Sequence, residues 1–220
     1  VKISCSIFDP GFQKCSFHFK KLPYHKTDNN NIELCKTFFG IYFDYSTLNP
    51  KFSFHRAEYL KISKLLGGRH HFMYDKDLKS QYNMTIFSEN IDKGHLTPSY
   101  IMSYNKDNDG PWYNTYLMSN IAGQYSIFNQ RCWASLEKFI VNFILESKKD
   151  FYIVTLTSNK KIKISWDFLI PEYFIKIVLD LDGNYVSGFY GKNENIYSDS
   201  CLEKRSLDEV EKIFGEKILF

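Results

Sequence analysis

The sequence predicts an α+β domain: a central, mostly antiparallel β-sheet flanked by few helices. Three observations point there. Short runs of aromatic and β-branched residues recur through the chain. Asp182-Gly183 sits between two such runs and marks a hairpin. Only residues 130–147 and 206–214 have a helical pattern.

Taken in order, residues 37–45 are aromatic and β-branched and read as a strand. Residues 52–60 alternate, follow Asn49-Pro50 and read as a second. A short strand over 84–87 leads towards Asp92. The helix over 130–147 places Trp133, Leu136, Ile140, Phe143 and Ile144 on one apolar stripe, because they recur at three and four. Residues 151–157 read as a fully buried strand, and 173–181 and 185–190 as the two arms of the hairpin. Ser206 caps the last helix, Glu209 completes a capping box, and Gly215 ends it. Asp28 to Asn31 and residues 105–111 read as polar loops, and neither is a domain linker. A single domain over 1–220 is the expectation.

Composition excludes some classes. Hydrophobic residues make up 44% and aromatics 18%, which suits a packed core rather than a disordered chain. No segment approaches the roughly 20 apolar residues that span a bilayer, so no membrane partner is expected. Net charge is +3, but it is uneven. Residues 1–80 carry 13 Lys and Arg against 7 Asp and Glu, and residues 180–220 carry 5 against 9. A basic half could face a phosphate backbone, or simply be a solvated surface. The cysteines are Cys5, Cys15, Cys35, Cys132 and Cys201, with no Cys-x-x-Cys pair for structural zinc. With the sequon Asn83-Met84-Thr85 and no initiator Met, they point to a secreted chain with one or two disulfides; mitochondrial placement is the alternative.

One stretch carries chemistry. Asp92-Lys93-Gly94-His95 is followed by a loop, then by Asn120 and Gln124, and then by Asn129 ahead of a helix that holds Glu137. Phosphodiester hydrolysis needs a base, charge neutralisation at phosphorus and support for the leaving oxygen. A neutral imidazole suits the first near neutral pH. Mg²⁺ suits the others, since it keeps most of its waters and needs few protein oxygens. Asn129 and Glu137, eight residues apart, project about 80° from each other on an ideal helix. Taken singly, each residue has an ordinary structural explanation: a packed histidine, an N-cap, a solvated glutamate.

The block Asp92-Lys93-Gly94-His95-Leu96-Thr97-Pro98 resembles the Asp-Arg-Gly-His motif of the DNA/RNA non-specific endonucleases. Residues 116–137 are similar to that family's second block in order and spacing, and the likeness runs from about residue 35 to the C-terminus. The resemblance implies a ββα-metal site in which His95 is the general base and Asn129 the protein ligand of Mg²⁺, with Mn²⁺ able to replace it. Glu137 would hold the metal's waters, and Asn120 would support the site. DNA and RNA would be cut with little sequence preference, leaving 5′-phosphate ends. Members are often homodimers, so a homodimer is among the expected states. Asp92 and Gln124 read as structural, Trp133 as core, and Gly94 as allowing a close approach beside the histidine.

The pattern is broken at Lys93, where the family usually has Arg, and at Val141, where bacterial secreted members carry an arginine. Lysine keeps the charge but loses the planar fork. Arg56, Arg69 and Arg131 are candidate substitutes. His70-His71 is a weak metal pair, because neighbours on a strand face opposite ways. In the longer loop over 99–115, Tyr100, Tyr104, Trp112 and Tyr113 could stack on bases or pack inward. The alternative reading is a weakened or inactive member that binds nucleic acid or a partner.

Overall fold

The computed structural model describes residues 11–15 and 28–217. Seven strands form one sheet: β1 (Asn31–Cys35), β2 (Phe39–Asp44), β3 (Asn49–Ala57), β6 (Phe151–Thr157), β9 (Tyr173–Leu179), β10 (Tyr185–Lys192) and β11 (Leu202–Arg205). Their order is β1-β2-β3-β6-β9-β10-β11, and every neighbouring pair is antiparallel. Two small pairs stand apart: β4 (Ile91–His95) with β5 (Ile121–Tyr125), and β7 (Lys161–Ser165) with β8 (Phe168–Pro171). The helices are α1 (Tyr59–Ile62), α2 (Pro111–Asn114), α3 (Ala134–Ser147) and α4 (Leu207–Phe214). The expected fold class is the one found.

Both faces of the sheet are covered, which is why its central strands read as continuous apolar runs. On β6, Tyr152, Val154 and Leu156 point to one face and Phe151 and Ile153 to the other. On β9, Ile175, Ile177 and Leu179 share the first face; Phe174 and Val178 share the second. The first face packs under Val210 and Phe214 of α4 and under Phe12. The second packs under Leu136, Ile140, Val141 and Ile144 of α3. Val141 is thus core and lines no groove. The capping box of α4 is formed, and Gly215 closes it with φ of 85°.

Several sequence expectations need correction. Asn49-Pro50 opens β3 instead of preceding it, with a register shift at Tyr42/Phe43 taking up the proline. That strand ends at Ala57, and residues 59–62 are helical. Residues 84–86 form a 3₁₀ turn, because the Asn83 side chain accepts from the Thr85 backbone N–H and caps it. The predicted helix over 130–147 is two segments. A π-helix runs from Phe128 to Trp133, and α3 follows. Residues 70 and 71 lie in no strand, so the argument from opposite strand faces does not hold for them. The strands β1, β5, β7, β8 and β11 were missed. Disulfides join Cys15 to Cys35 and Cys132 to Cys201, while Cys5 lies outside the described residues.

The second face of the sheet has a polar row across its centre. Ser53 is in register with Thr155, and Thr155 with Lys176. His55 lies beside this row, fully buried, with both ring nitrogens unpartnered. Burial, reinforced by the Lys176 ammonium, pushes its pKa down to about 3. The unfolded imidazole takes up its proton near 6.5, so between those values the unfolded chain binds more protons. Stability should therefore be full above about pH 6.5 and fall as the pH drops towards 3. Urea midpoints measured across this window for the wild type and His55→Leu check this: the variant should show the shallower fall.

Candidate active site

The site is assembled where β4 and β5 meet the π-helix and the start of α3. The antiparallel register sets Asp92 opposite Gln124, Gly94 opposite Ala122 and His95 opposite Ile121. A side chain at residue 94 would have its Cβ 2.1 Å from Oε1 of the fully buried Gln124. The close approach expected at Gly94 is therefore to Gln124, whose amide atoms have no hydrogen-bond partner.

A groove of about 830 Å³ opens over this unit, with Lys93, His95, Asn129, Glu137, Arg69 and Tyr116 among its walls. The His95 ring lies 5.0 Å from that of Tyr116, edge to face, and 5.4 Å from that of Phe72. Its Nε2 is shielded from solvent and unpartnered, which leaves Nδ1 as the nitrogen open to the groove. Burial among these rings pushes the imidazole pKa down to about 4, so the ring is neutral at pH 7. Sequence reading did not single out Phe72 or Tyr116, whose roles depend on packing across the chain.

Asp92 is the anchor of the π-helix. Its Oδ1 accepts from Ser126 Oγ at 2.8 Å, and its Oδ2 from Asn129 Nδ2 and Gln130 Nε2, both at 2.9 Å. Because the carboxylate takes the Asn129 nitrogen, the amide oxygen is the end left for a cation. Asn120 is elsewhere. Its side chain is fully buried, accepts from the Thr97 N–H and donates to the carbonyls of Thr97 and Thr115, each at 2.9 Å. It lines no part of the groove and clamps the segment that follows His95.

The Glu137 carboxylate reaches into the groove from α3 and meets the ammonium of Lys176 at 3.4 Å. Lys176 is 1% exposed. Its Nζ also donates to Thr155 Oγ1 at 2.9 Å and to the Leu96 carbonyl at 3.3 Å, and lies 5.0 Å from the Trp133 ring. Burial pushes Lys176 down and Glu137 up, and each opposes the shift in the other. Lys176 was missed by sequence reading. A lysine inside a strand of buried residues was the available signal.

The cations and aromatics of the sequence reading are dispersed. Lys93 Nζ lies 5.5 Å from the Phe72 ring and 4.9 Å from the Phe87 ring, on the groove wall. Arg69 lies on the same groove and is exposed. Arg56 pairs with Asp150 at 2.6 Å and Arg131 lies over Tyr197, so neither belongs to the site. Elsewhere in the basic half, Lys36 is paired with Asp75 and Asp77, and Lys61 with Glu58. His70 lines the groove against Tyr113 and Trp112, whereas His71 is exposed. Trp112 is buried and Tyr104 packs on Phe38, which leaves Tyr100 exposed and Tyr113 half-buried.

The profile of the DNA/RNA non-specific endonuclease family matches residues 20–220. The chain belongs to this family. It is therefore a nuclease, a hydrolase acting on nucleic acid, from a family of metal-dependent enzymes. Among solved structures, this nuclease is similar to the crystal structure of an EndoG/EndoGI complex that concerns the mechanism of EndoG inhibition. The TM-score is 0.67 at 17% identity, over 95% of this chain and 90% of that one. At that identity the likeness speaks for the fold. No curated protein matches the sequence.

Lys176→Met should remove the counter-charge of Glu137 and cost about 3 kcal/mol of stability, the usual loss when one partner of a buried pair is removed. Adding Glu137→Gln should recover part of it. Urea unfolding of the three proteins measures both effects, and a single variant as stable as wild type would refute the pairing.

Proposed function

We propose that the chain is a Mg²⁺-dependent, sequence-non-specific endonuclease that cuts DNA and RNA, with His95 as general base and 5′-phosphate products. The observation that carries this reading is the pairing of two open atoms on one groove: His95 Nδ1, and the Asn129 amide oxygen that Asp92 leaves exposed.

The donor set suits a hard cation. Among the described residues, no three His, Cys, Asp or Glu side chains cluster as a metal cage. One amide oxygen from Asn129, with Glu137 beside it on the groove, fits Mg²⁺, which prefers oxygen and retains most of its waters. Mn²⁺ accepts the same ligands. When bound, the cation would neutralise charge building on the phosphate and stabilise the leaving oxygen.

The chain's own residues supply the rest. Neutral His95 accepts a proton from the attacking water at Nδ1. An anionic phosphate in the groove raises its pKa from about 4 towards the range a base needs. Lys93 and Arg69 offer positive charge to the flanking phosphates. Lysine at 93 makes one point contact where an arginine would fork over two oxygens, so a slower enzyme is expected. Asn120 acts at one remove, holding Thr97 and hence the backbone beside His95. Two disulfides support an oxidising setting, and we place the chain outside the cell, with the mitochondrion as the alternative. No helix among the described residues is long and apolar enough to cross a membrane. Every residue named comes from one chain, so the reading does not require a homodimer.

Plasmid DNA and a structured RNA should both be degraded with Mg²⁺ and left intact in EDTA. His95→Ala should lower the rate by at least about 100-fold, the lower range for removing a general base, without changing the circular dichroism spectrum. Asn129→Ala should raise the Mg²⁺ concentration needed for half-maximal rate. Wild-type rates in His95→Ala would sink the assignment.

A further inference from the structure

The turn of the β7–β8 hairpin carries Trp166, whose side chain is 88% exposed, the most exposed large hydrophobic side chain among the described residues. The Lys163 ammonium lies 3.9 Å from the centre of its ring. The other two tryptophans are buried, at 8% for Trp112 and 1% for Trp133. An indole left in water with a cation on its ring offers a flat stacking surface and a positive charge side by side.

The hairpin is basic: residues 160–171 hold Lys160, Lys161 and Lys163 against Asp167. Lys160 is paired with Glu172, and Lys161 donates to the Ser158 carbonyl. Lys163 has the indole as its neighbour instead. The hairpin is also continuous with the groove. Phe168, two residues after Trp166, packs edge to face on Phe87 at 4.9 Å. Phe87 lines the groove and carries Lys93 at 4.9 Å on its ring. The buried Phe168 ring thus anchors the hairpin beside the groove wall that carries Lys93.

We propose that Trp166 and Lys163 form an outlying subsite for single-stranded nucleic acid, in which an unpaired base stacks on the indole and a neighbouring phosphate meets the ammonium. This rests on the nuclease reading of the groove. Unpaired strands are the ligand because a duplex hides its base faces in the stack. Summing the ring contacts and residue spacing places the Trp166 indole at most roughly 25 Å from the Lys93 ammonium. A single strand long enough to bridge that span engages the groove and the subsite at once, and should bind more tightly than one that reaches only one of them.

Binding is measurable without cleavage, in EDTA, with oligothymidylates. Trp112 and Trp133 are buried away from stacking contact, so the quenching that is present in the wild type and lost in Trp166→Phe reports Trp166. A strand of about twelve nucleotides should quench it at a much lower concentration than a trinucleotide does. Trp166→Ala should bind the longer strand about tenfold more weakly, with Trp166→Phe in between. Lys163→Ala should make the salt dependence shallower by about one charge. With Mg²⁺, Trp166→Ala should raise KM for long single strands about tenfold at unchanged kcat, and leave duplex and trinucleotide cleavage alone. Wild-type affinity in Trp166→Ala, or no quenching by the longer strand, would overturn the subsite. A wild type that binds and is quenched but never cleaves would overturn the nuclease reading and leave the subsite standing.

Discussion

The site depends on one buried charge. Lys176 sits in the central sheet with almost no access to water, and its ammonium has three partners: Thr155 Oγ1, the Leu96 carbonyl and Glu137. A bare ammonium there would be far costlier than any single contact could offset, so the chain must bring oxygens to it. Those oxygens come from three different elements. β6 gives the hydroxyl, the backbone after β4 gives the carbonyl, and α3 gives the carboxylate. Satisfying the lysine fixes the residue after His95 and the first turn of α3 relative to the sheet. Stability is not the natural explanation for such a group, since an apolar core would serve as well. Fixed geometry on a groove is.

The other fastenings work around the same point. Thr97 Oγ1 bonds Ser53 Oγ at 3.1 Å, in line with Thr155 and Lys176 across the strands. Asn120 grips Thr97 through two hydrogen bonds and donates a third to the Thr115 carbonyl. Asp92 fixes Ser126, Asn129 and Gln130. The disulfide to Cys201 then ties the π-helix to the segment before β11. A π-turn is wider than an α-turn and rarely persists unaided. Here a carboxylate at one end and a disulfide at the other hold it open, and Asn129 projects from it.

How much of this was legible in the sequence follows from the range of each interaction. The capping box at Ser206 and the hairpin at Asp182-Gly183 are local, so their residues suffice to place them. The motif ending in His95 and the residues at 120, 129 and 137 were picked out through the family resemblance; the fold brings His95, Asn129 and Glu137 to one groove and leaves Asn120 buried away from it. The π-helix was not, since its residues also fit an α-helix and the partners that hold the wider turn, Asp92 and Cys201, lie far off in the chain. The strands β1, β7, β8 and β11 are only four or five residues long, too short for a pattern to stand out, even the alternation of Lys161 to Ser165 in β7. Lys176 stood out only as a lysine in an apolar strand; what makes it significant is the row it completes with Thr155 and with Ser53, far back in the chain.

Lys93 shows how a departure from a family pattern can be accommodated by packing. Its ammonium is set by two ring faces, Phe72 and Phe87, and each such contact contributes about 0.5–2 kcal/mol depending on solvent exposure. A lysine held this way keeps its charge on the groove wall without a carboxylate partner that would compete with phosphate. The cost falls on geometry. A point charge steers a phosphate but does not set its angle, whereas a guanidinium fork does both. On the proposed reading, alignment of the scissile phosphate then falls to Asn129, Glu137 and the fixed imidazole. Each of these traces back to Asp92 or Lys176, so the rigid frame beneath the groove compensates for the looser grip at its wall.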